Sequence, residues 1–282
     1  MKTKTGKPLL IYSASAVVII SIIRFFQYVT IIDFRTGFFA LGSETGGLLL
    51  YAAMLVAAAG FIVLSIVGKK NEWTAFTVSA DGMSSKATII PGVAFLSAAA
   101  VCFFDAIGME GVGLFRTVSA YAFAISLIAV GLLLLKSSVP PRVTGVIQIF
   151  YALVCFVNAT QLFTDDLVIK NRSDNLIVLL ILVLGTLFFT ASSRFYARLE
   201  TRNSRMREII LGGFAFMLSG VHVLSKLMAY LFGGDSVKGM DSISAAAVII
   251  LLTSGAFIIT VCTTTQNKEI DYILPEKKED EE

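Results

Sequence analysis

The sequence has little charge for its length. Charged residues make up 15% of the 282 positions, hydrophobic residues make up 56%, and the mean hydropathy is +0.82. Soluble globular domains carry roughly 25% charged residues, so this composition indicates a polytopic membrane protein instead. The net charge of +3 is small and its basic residues lie at the ends of apolar runs, which gives no reason to expect a nucleic-acid partner.

Residues that usually carry chemistry are scarce as well. The single histidine, His222, cannot supply a poly-histidine metal site. The patterns His-Glu-x-x-His, Gly-x-Ser-x-Gly and Gly-x-x-x-x-Gly-Lys-Ser/Thr are all absent. The three cysteines, Cys102, Cys155 and Cys262, lie inside apolar runs, and their odd number argues against a disulfide framework. We therefore expect no cofactor and no metal site.

Apolar windows of about 20 residues predict an all-α fold of eight transmembrane helices in four hairpins. The predicted spans are Leu9–Ile32, Gly47–Val67, Thr88–Phe104, Gly113–Leu135, Val143–Phe163, Asn175–Ala191, Ile209–Phe232 and Ile243–Cys262. The first run exceeds a typical signal-peptide core in length, so we expect it to stay as an uncleaved span. The spans form one domain over residues 1–265, and the charged tail 266–282 has too few apolar residues to fold alone.

Basic residues divide unevenly between the two alternate sets of connections. Most of the lysines and arginines outside the spans fall in the set that includes the N-terminal segment and the C-terminal tail. By the positive-inside rule, both termini of this multi-pass chain are predicted to lie on the cytoplasmic side of the cell membrane. The densest basic stretch, Arg194–Arg207, would also suit anionic lipid headgroups.

The longest polar connection, Gly68–Ala87, contains an alternating stretch from Trp73 to Val78 ahead of an Asp-Gly pair. Alternation before such a pair predicts a short β-hairpin. Trp73 and Phe76 would equally suit the membrane interface.

Strongly polar side chains inside the predicted spans concentrate on the odd-numbered helices. In chain order they are Arg24 and Gln27 in the first span, Asn158 and Gln161 in the fifth, and Ser219, His222 and Lys226 in the seventh. Within each span the spacing of three or four residues places these groups on one helix face. If the odd-numbered spans face one another, their polar faces line a cavity that opens to the outside. The predicted ligand-binding residues are Arg24, Gln27, Asn158, Gln161, His222 and Lys226, and we expect Asn158, Gln161 and Arg24 to share one polar cluster.

Arg24 needs the most explanation. A guanidinium group stays charged at any accessible pH, so inside a membrane it must face protein or water and find partners. Together with Lys226 it favours an anionic ligand, because the guanidinium fork matches a carboxylate or phosphate. The other interpretation is that both cations reach toward carboxylates at the membrane interface, while the amides form interhelical hydrogen bonds.

Three classes of function are compatible with these features. The first is a non-catalytic integral membrane component for assembly, sensing or anchoring, with a protein partner besides the lipid bilayer. The second is a transporter or solute-binding membrane subunit whose outward-facing polar cavity takes an anionic or carboxylate-bearing small molecule. It would need a separate energising subunit to use ATP, because the chain has no ATP-binding motif. The third is a membrane-embedded enzyme of an unfamiliar type.

Overall fold

A computed structural model describes residues 6–33, 38–39, 44–77, 85–107, 114–135, 141–165, 173–196, 204–234 and 243–263. Within these residues the regular secondary structure is helical apart from one two-residue antiparallel ladder, in which Ile32 pairs with Phe39 and Asp33 with Phe38. The elements are α1 (Lys7–Thr30), β1 (Ile32–Asp33), β2 (Phe38–Phe39), α2 (Glu44–Lys70), α3 (Thr74–Thr77), α4 (Ser85–Ile107), α5 (Leu114–Leu135), α6 (Pro141–Asp165), α7 (Ser173–Tyr196), α8 (Ser204–Phe232) and α9 (Ala245–Thr263).

Six of these helices are long and apolar enough to cross a membrane: α1, α2, α6, α7, α8 and α9. In α4 and α5 the apolar runs among the described residues are shorter, covering Gly92–Phe104 and Thr117–Leu133. The predicted all-α class is confirmed, and the long apolar helices are those of a multi-pass membrane protein. Several helices extend past the predicted apolar bounds; α8, for example, begins five residues earlier at Ser204, because helical hydrogen bonding continues through polar residues beyond the apolar core.

Helix α8 lies at the centre of the helical packing. It contacts α1, α2, α7 and α9, and glycines on its surface allow close approach. A Cβ atom added to Gly213 would collide with the Phe61 ring of α2, and one added to Gly220 would lie 2.9 Å from the methyl groups of Val17 on α1. Small residues at such crossings let helices pack closely where the lipid supplies no hydrophobic driving force.

Helices α1 and α8 run parallel to each other. We name the two ends of the bundle after one residue at each. At the Asp174 end, α1 and α8 end while α2 and α7 begin; at the Arg205 end, α1 and α8 begin while α2 and α7 end. The chain around α3 covers the Arg205 end, where Ala75 approaches both Gly6 and the end of α9 near Cys262.

The hairpin predicted from the stretch before Asp81-Gly82 is wrong over the part of that stretch that the structure describes. Residues Thr74–Thr77 form the one-turn helix α3, and Trp73 is buried instead of lying at an exposed interface. The reason is local: Trp73 and Phe76 cover Gly68, where any side chain would collide with their rings. The rest of the predicted hairpin and the tail 266–282 lie outside the described residues.

Candidate functional site

Asp174, in the first turn of α7, is the acceptor at the centre of a charged cluster. Its Oδ1 accepts hydrogen bonds from Arg24 Nη2 and from the Tyr28 hydroxyl, each at 2.6 Å. Lys226 Nζ lies 3.3 Å from the other carboxylate oxygen. Since Arg24 and Tyr28 belong to α1 and Lys226 to α8, one carboxylate joins three helices. We name these four residues the Asp174 cluster.

The α1 side of the cluster extends to α2. Arg24 Nη1 donates a hydrogen bond to Gln27 Oε1 at 2.9 Å, and Gln27 Nε2 donates to the backbone carbonyl of Gly46 at 2.5 Å. The guanidinium carbon of Arg24 also lies 4.6 Å from the centroid of the Tyr28 ring, within the range of a cation–π contact. Residues that are three or four apart on α1 therefore present one continuous polar face.

Three of the four residues of the Asp174 cluster are removed from solvent. Arg24, Tyr28 and Lys226 are buried, whereas the Asp174 side chain is 18% exposed. Charges in such a place are tolerated only when they are paired, and removing one partner of a buried pair typically costs about 3–5 kcal/mol. Asp174 also lies at a helix N-terminus, where the helix dipole favours a negative charge.

His222 lies one helical turn before Lys226, within electrostatic range of Lys226, Asp174 and Arg24. Its side chain is 1% exposed, and neither ring nitrogen has a hydrogen-bond partner among the described residues. Ser21, one turn before Arg24 on α1, is also buried, and in the described part of the chain its hydroxyl has no partner. The structure thus brings four of the six predicted residues into one region: Arg24, Gln27, His222 and Lys226.

The two amides of α6 lie elsewhere. Asn158 donates a hydrogen bond to the carbonyl of Val154 in its own helix at 2.9 Å. Gln161 exchanges hydrogen bonds with Ser119 of α5 at 2.8 and 3.1 Å. The expected common cluster with Arg24 is therefore not formed in the described residues. The physical reason is the helix order: α6 packs against α5 and α7, while α1 packs against α8 and α2, so α7 and α8 separate the two polar faces.

Sequence reasoning missed Asp174 and Tyr28. Asp174 directly precedes the predicted sixth span, so it looked like a connection residue beside an almost purely apolar helix. A signal was present, because the sixth span begins at the membrane face at which the first and seventh spans end. A carboxylate at that position is at the depth that Arg24 and Lys226 can reach.

A second buried ion pair lies at the Arg205 end, inside the first two turns of α8. Arg205 Nη1 is 2.7 Å from Glu208 Oε2, and the guanidinium carbon lies 4.8 Å from the Phe195 ring centroid and 5.5 Å from that of Phe257. Of the basic anchor predicted over Arg194–Arg207, the flanking Arg194 and Arg207 are exposed, whereas Arg205 itself is buried.

No protein-family model, curated protein or solved structure matches the chain. Among the described residues, no group of three or more His, Cys, Asp or Glu side chains could hold a metal ion. The role of the Asp174 cluster therefore has to be argued from its own geometry.

Proposed function

We propose that the protein is a non-catalytic integral membrane component of the cell membrane that serves assembly, sensing or anchoring. It crosses the bilayer eight times and keeps both termini in the cytoplasm. Helices α4 and α5, with 23 and 22 residues, supply the two spans beyond the six long apolar helices. A helix of about 20 residues is long enough to cross the hydrocarbon core.

The distribution of charge supports this orientation. The exposed basic residues of the described helices lie at the Arg205 end: Lys7, Lys70, Arg142, Arg194 and Arg207. At the Asp174 end, the two basic residues whose side chains the structure describes, Arg24 and Lys226, are buried. Under the positive-inside rule, the Arg205 end then faces the cytoplasm.

The observation that carries the non-catalytic role is the position of Asp174. The two intramembrane cations that would have marked an anion site already contact a carboxylate of the same chain. Their first role is then to hold α1, α7 and α8 together. If its intramembrane charges serve packing, we expect the protein to act through lipid or protein partners that contact its surface.

Two measurements test this proposal. Reporter fusions that are active only outside the cytoplasm should work after Gly42, Glu110, Lys170 and Gly239 and fail after Lys70, Ser138 and Arg202. An active fusion at Arg202, in the most basic connection, would overturn the orientation.

For the assembly role, the full chain extracted from its native membrane in mild detergent should have a protein mass above the 30.4 kDa of one chain. A mass of one chain alone would contradict this role.

A solute-binding membrane subunit is the second candidate, and a specific observation favours it. The Asp174 cluster contains two cations for one carboxylate, and His222 beside it has two ring nitrogens without partners in the described part of the chain. Two cations beside an imidazole of this kind suit an anionic small molecule.

A further inference from the structure

We propose that the exposed basic residues at the Arg205 end form a surface that binds the headgroups of anionic membrane phospholipids. The residues of this surface, which we name the basic surface, are Lys7, Lys70, Arg142, Arg194 and Arg207. The inference rests on the proposed surface role and deepens it by naming a class of lipid partner. It applies to a single chain, so its test is independent of the mass measurement that tests assembly.

The five cations of the basic surface lie at a similar depth in the bundle. Each lies one to three residues outside the nearest bound of a predicted apolar span; Arg142 directly precedes Val143, for example, and Arg194 follows Ala191 by three residues. At about 1.5 Å per residue, their backbone positions lie within roughly 5 Å of the edge of the apolar core. The headgroup layer is about 5–8 Å thick on each side of a bilayer. The five side chains are therefore level with the lipid phosphates.

The basic surface has few carboxylates near it. Among the side chains that the structure describes, Glu72 is the one exposed carboxylate at this end, because Glu208 is buried against Arg205. In the described part of the chain, none of the five cations forms an ion pair. Exposed cations at headgroup depth attract anionic lipids.

The buried contact of Arg205 fixes the backbone that carries two of these cations. Its guanidinium lies 2.7 Å from Glu208 Oε2, and its carbon lies 4.8 Å from the ring centroid of Phe195. This contact joins the first turn of α8 to the last turn of α7. Arg194 directly precedes Phe195, and Arg207 follows Arg205 by two residues; both are exposed. A lipid headgroup can bind these two arginines without the cost of ordering a loop.

The residue types also suit a phosphate group. Three of the five cations are arginines, and the planar guanidinium presents paired N–H groups that match two phosphate oxygens. Arg207 lies in the first turn of α8, where the helix dipole also favours an anion. The depth of these groups favours a phosphodiester held in the membrane over a phosphate in solution.

Native mass spectrometry tests the proposal by counting the lipids that the protein retains. The full chain is purified in mild detergent and mixed with equal amounts of phosphatidylglycerol and phosphatidylcholine that have identical acyl chains. The first lipid carries a net negative charge and the second is zwitterionic. We expect the parent chain to retain phosphatidylglycerol at least about tenfold more, since each basic residue near the membrane contributes about fivefold. The preference should shrink as the salt concentration rises.

Variants of opposite charge effect then assign the surface. Arg194→Gln and Arg207→Gln should each reduce the preference about fivefold, and the double variant should retain the two lipids almost equally. Glu72→Gln removes the exposed carboxylate of this end and should increase the preference. Asn71→Ala, at an exposed uncharged position of the same end, is the matched control and should leave the preference unchanged. All four side chains are exposed, so we expect these variants to fold.

Three results would overturn the basic surface as a lipid-binding site. The first is a parent chain that retains the two lipids equally. The second is a preference for phosphatidylglycerol that the double variant keeps. The third is a preference that appears only after the carboxylates of residues 279–282 are changed to amides, which would mean that the acidic tail occupies the surface instead of lipid. None of these results changes the protein mass, which reports assembly separately.

Discussion

The two buried ion pairs near opposite ends of α8 differ in what they join. Arg205 and Glu208 are three residues apart in one helix, so their contact forms as soon as the helix does. Arg24 and Asp174 are 150 positions apart and belong to α1 and α7. Their contact requires two helices to have packed, and Lys226 adds a third. One ion pair is therefore local to a single helix, whereas the other is a tertiary contact. Removing the carboxylate of each should destabilise the protein by different amounts.

The largest expected effect is at Asp174. Asp174→Asn removes the carboxylate that Arg24 and Lys226 both contact and should lower the free energy of unfolding by about 3–5 kcal/mol. Thermal unfolding of the purified protein in detergent measures it as a lower melting temperature. Asp174→Glu, which keeps the charge, is the control and should lose less. An Asn variant as stable as the parent would show that the cluster does not hold the helices.

A smaller loss is expected at the other end of α8. Glu208→Gln keeps an amide oxygen near Arg205, and the guanidinium keeps its contacts with Phe195 and Phe257. We expect a loss of about 1–3 kcal/mol, the range for a weakened buried hydrogen bond. The same melting experiment checks it. If Glu208→Gln costs as much as Asp174→Asn, the distinction between local and tertiary pairs fails.

The comparison also explains what the sequence could predict. The all-α class and the long apolar helices follow from hydropathy, because a run of about 20 apolar residues has few other stable arrangements. The contact of Arg24 with Gln27 follows from helical spacing alone. The partner of Arg24 does not, because periodicity within one helix says nothing about which helices are neighbours. The sequence predicts that the polar odd-numbered spans, which are α1, α6 and α8 in the structure, face one another. Helices α1 and α8 are in contact, but α6 packs against α5 and α7 instead.

Arg24→Lys tests whether the charge of Arg24 or its two-donor geometry holds α1 to α7. Lysine keeps the charge that Asp174 needs but loses the second donor, which bonds Gln27. If Arg24 serves packing, the loss should be about 1 kcal/mol, the usual net value of one hydrogen bond. Arg24→Leu is the contrasting variant, since it removes the charge and should destabilise more. A Lys variant as unstable as the Leu variant would mean that the fork geometry, not the charge, holds α1 to α7.

The smallest effects are expected on α6, where polar contacts are neutral. Gln161 bonds Ser119 across two helices, whereas among the described residues Asn158 bonds the backbone of its own helix alone. Interhelical hydrogen bonds of membrane proteins contribute about 0.6 kcal/mol on average, and rarely more than about 1.7 kcal/mol. A double-mutant cycle of Gln161→Ala and Ser119→Ala, followed by melting temperature, should give a coupling in that range. Asn158→Ala is the control without an interhelical bond and should show no measurable coupling to Ser119→Ala.

A coupling near that of the Asp174 cluster would mean that hydrogen bonding alone, without charge, joins these helices as strongly. A coupling of zero would show that Gln161 and Ser119 do not bond across α5 and α6, which would free the Gln161 amide for the ligand-binding role that its sequence position predicts.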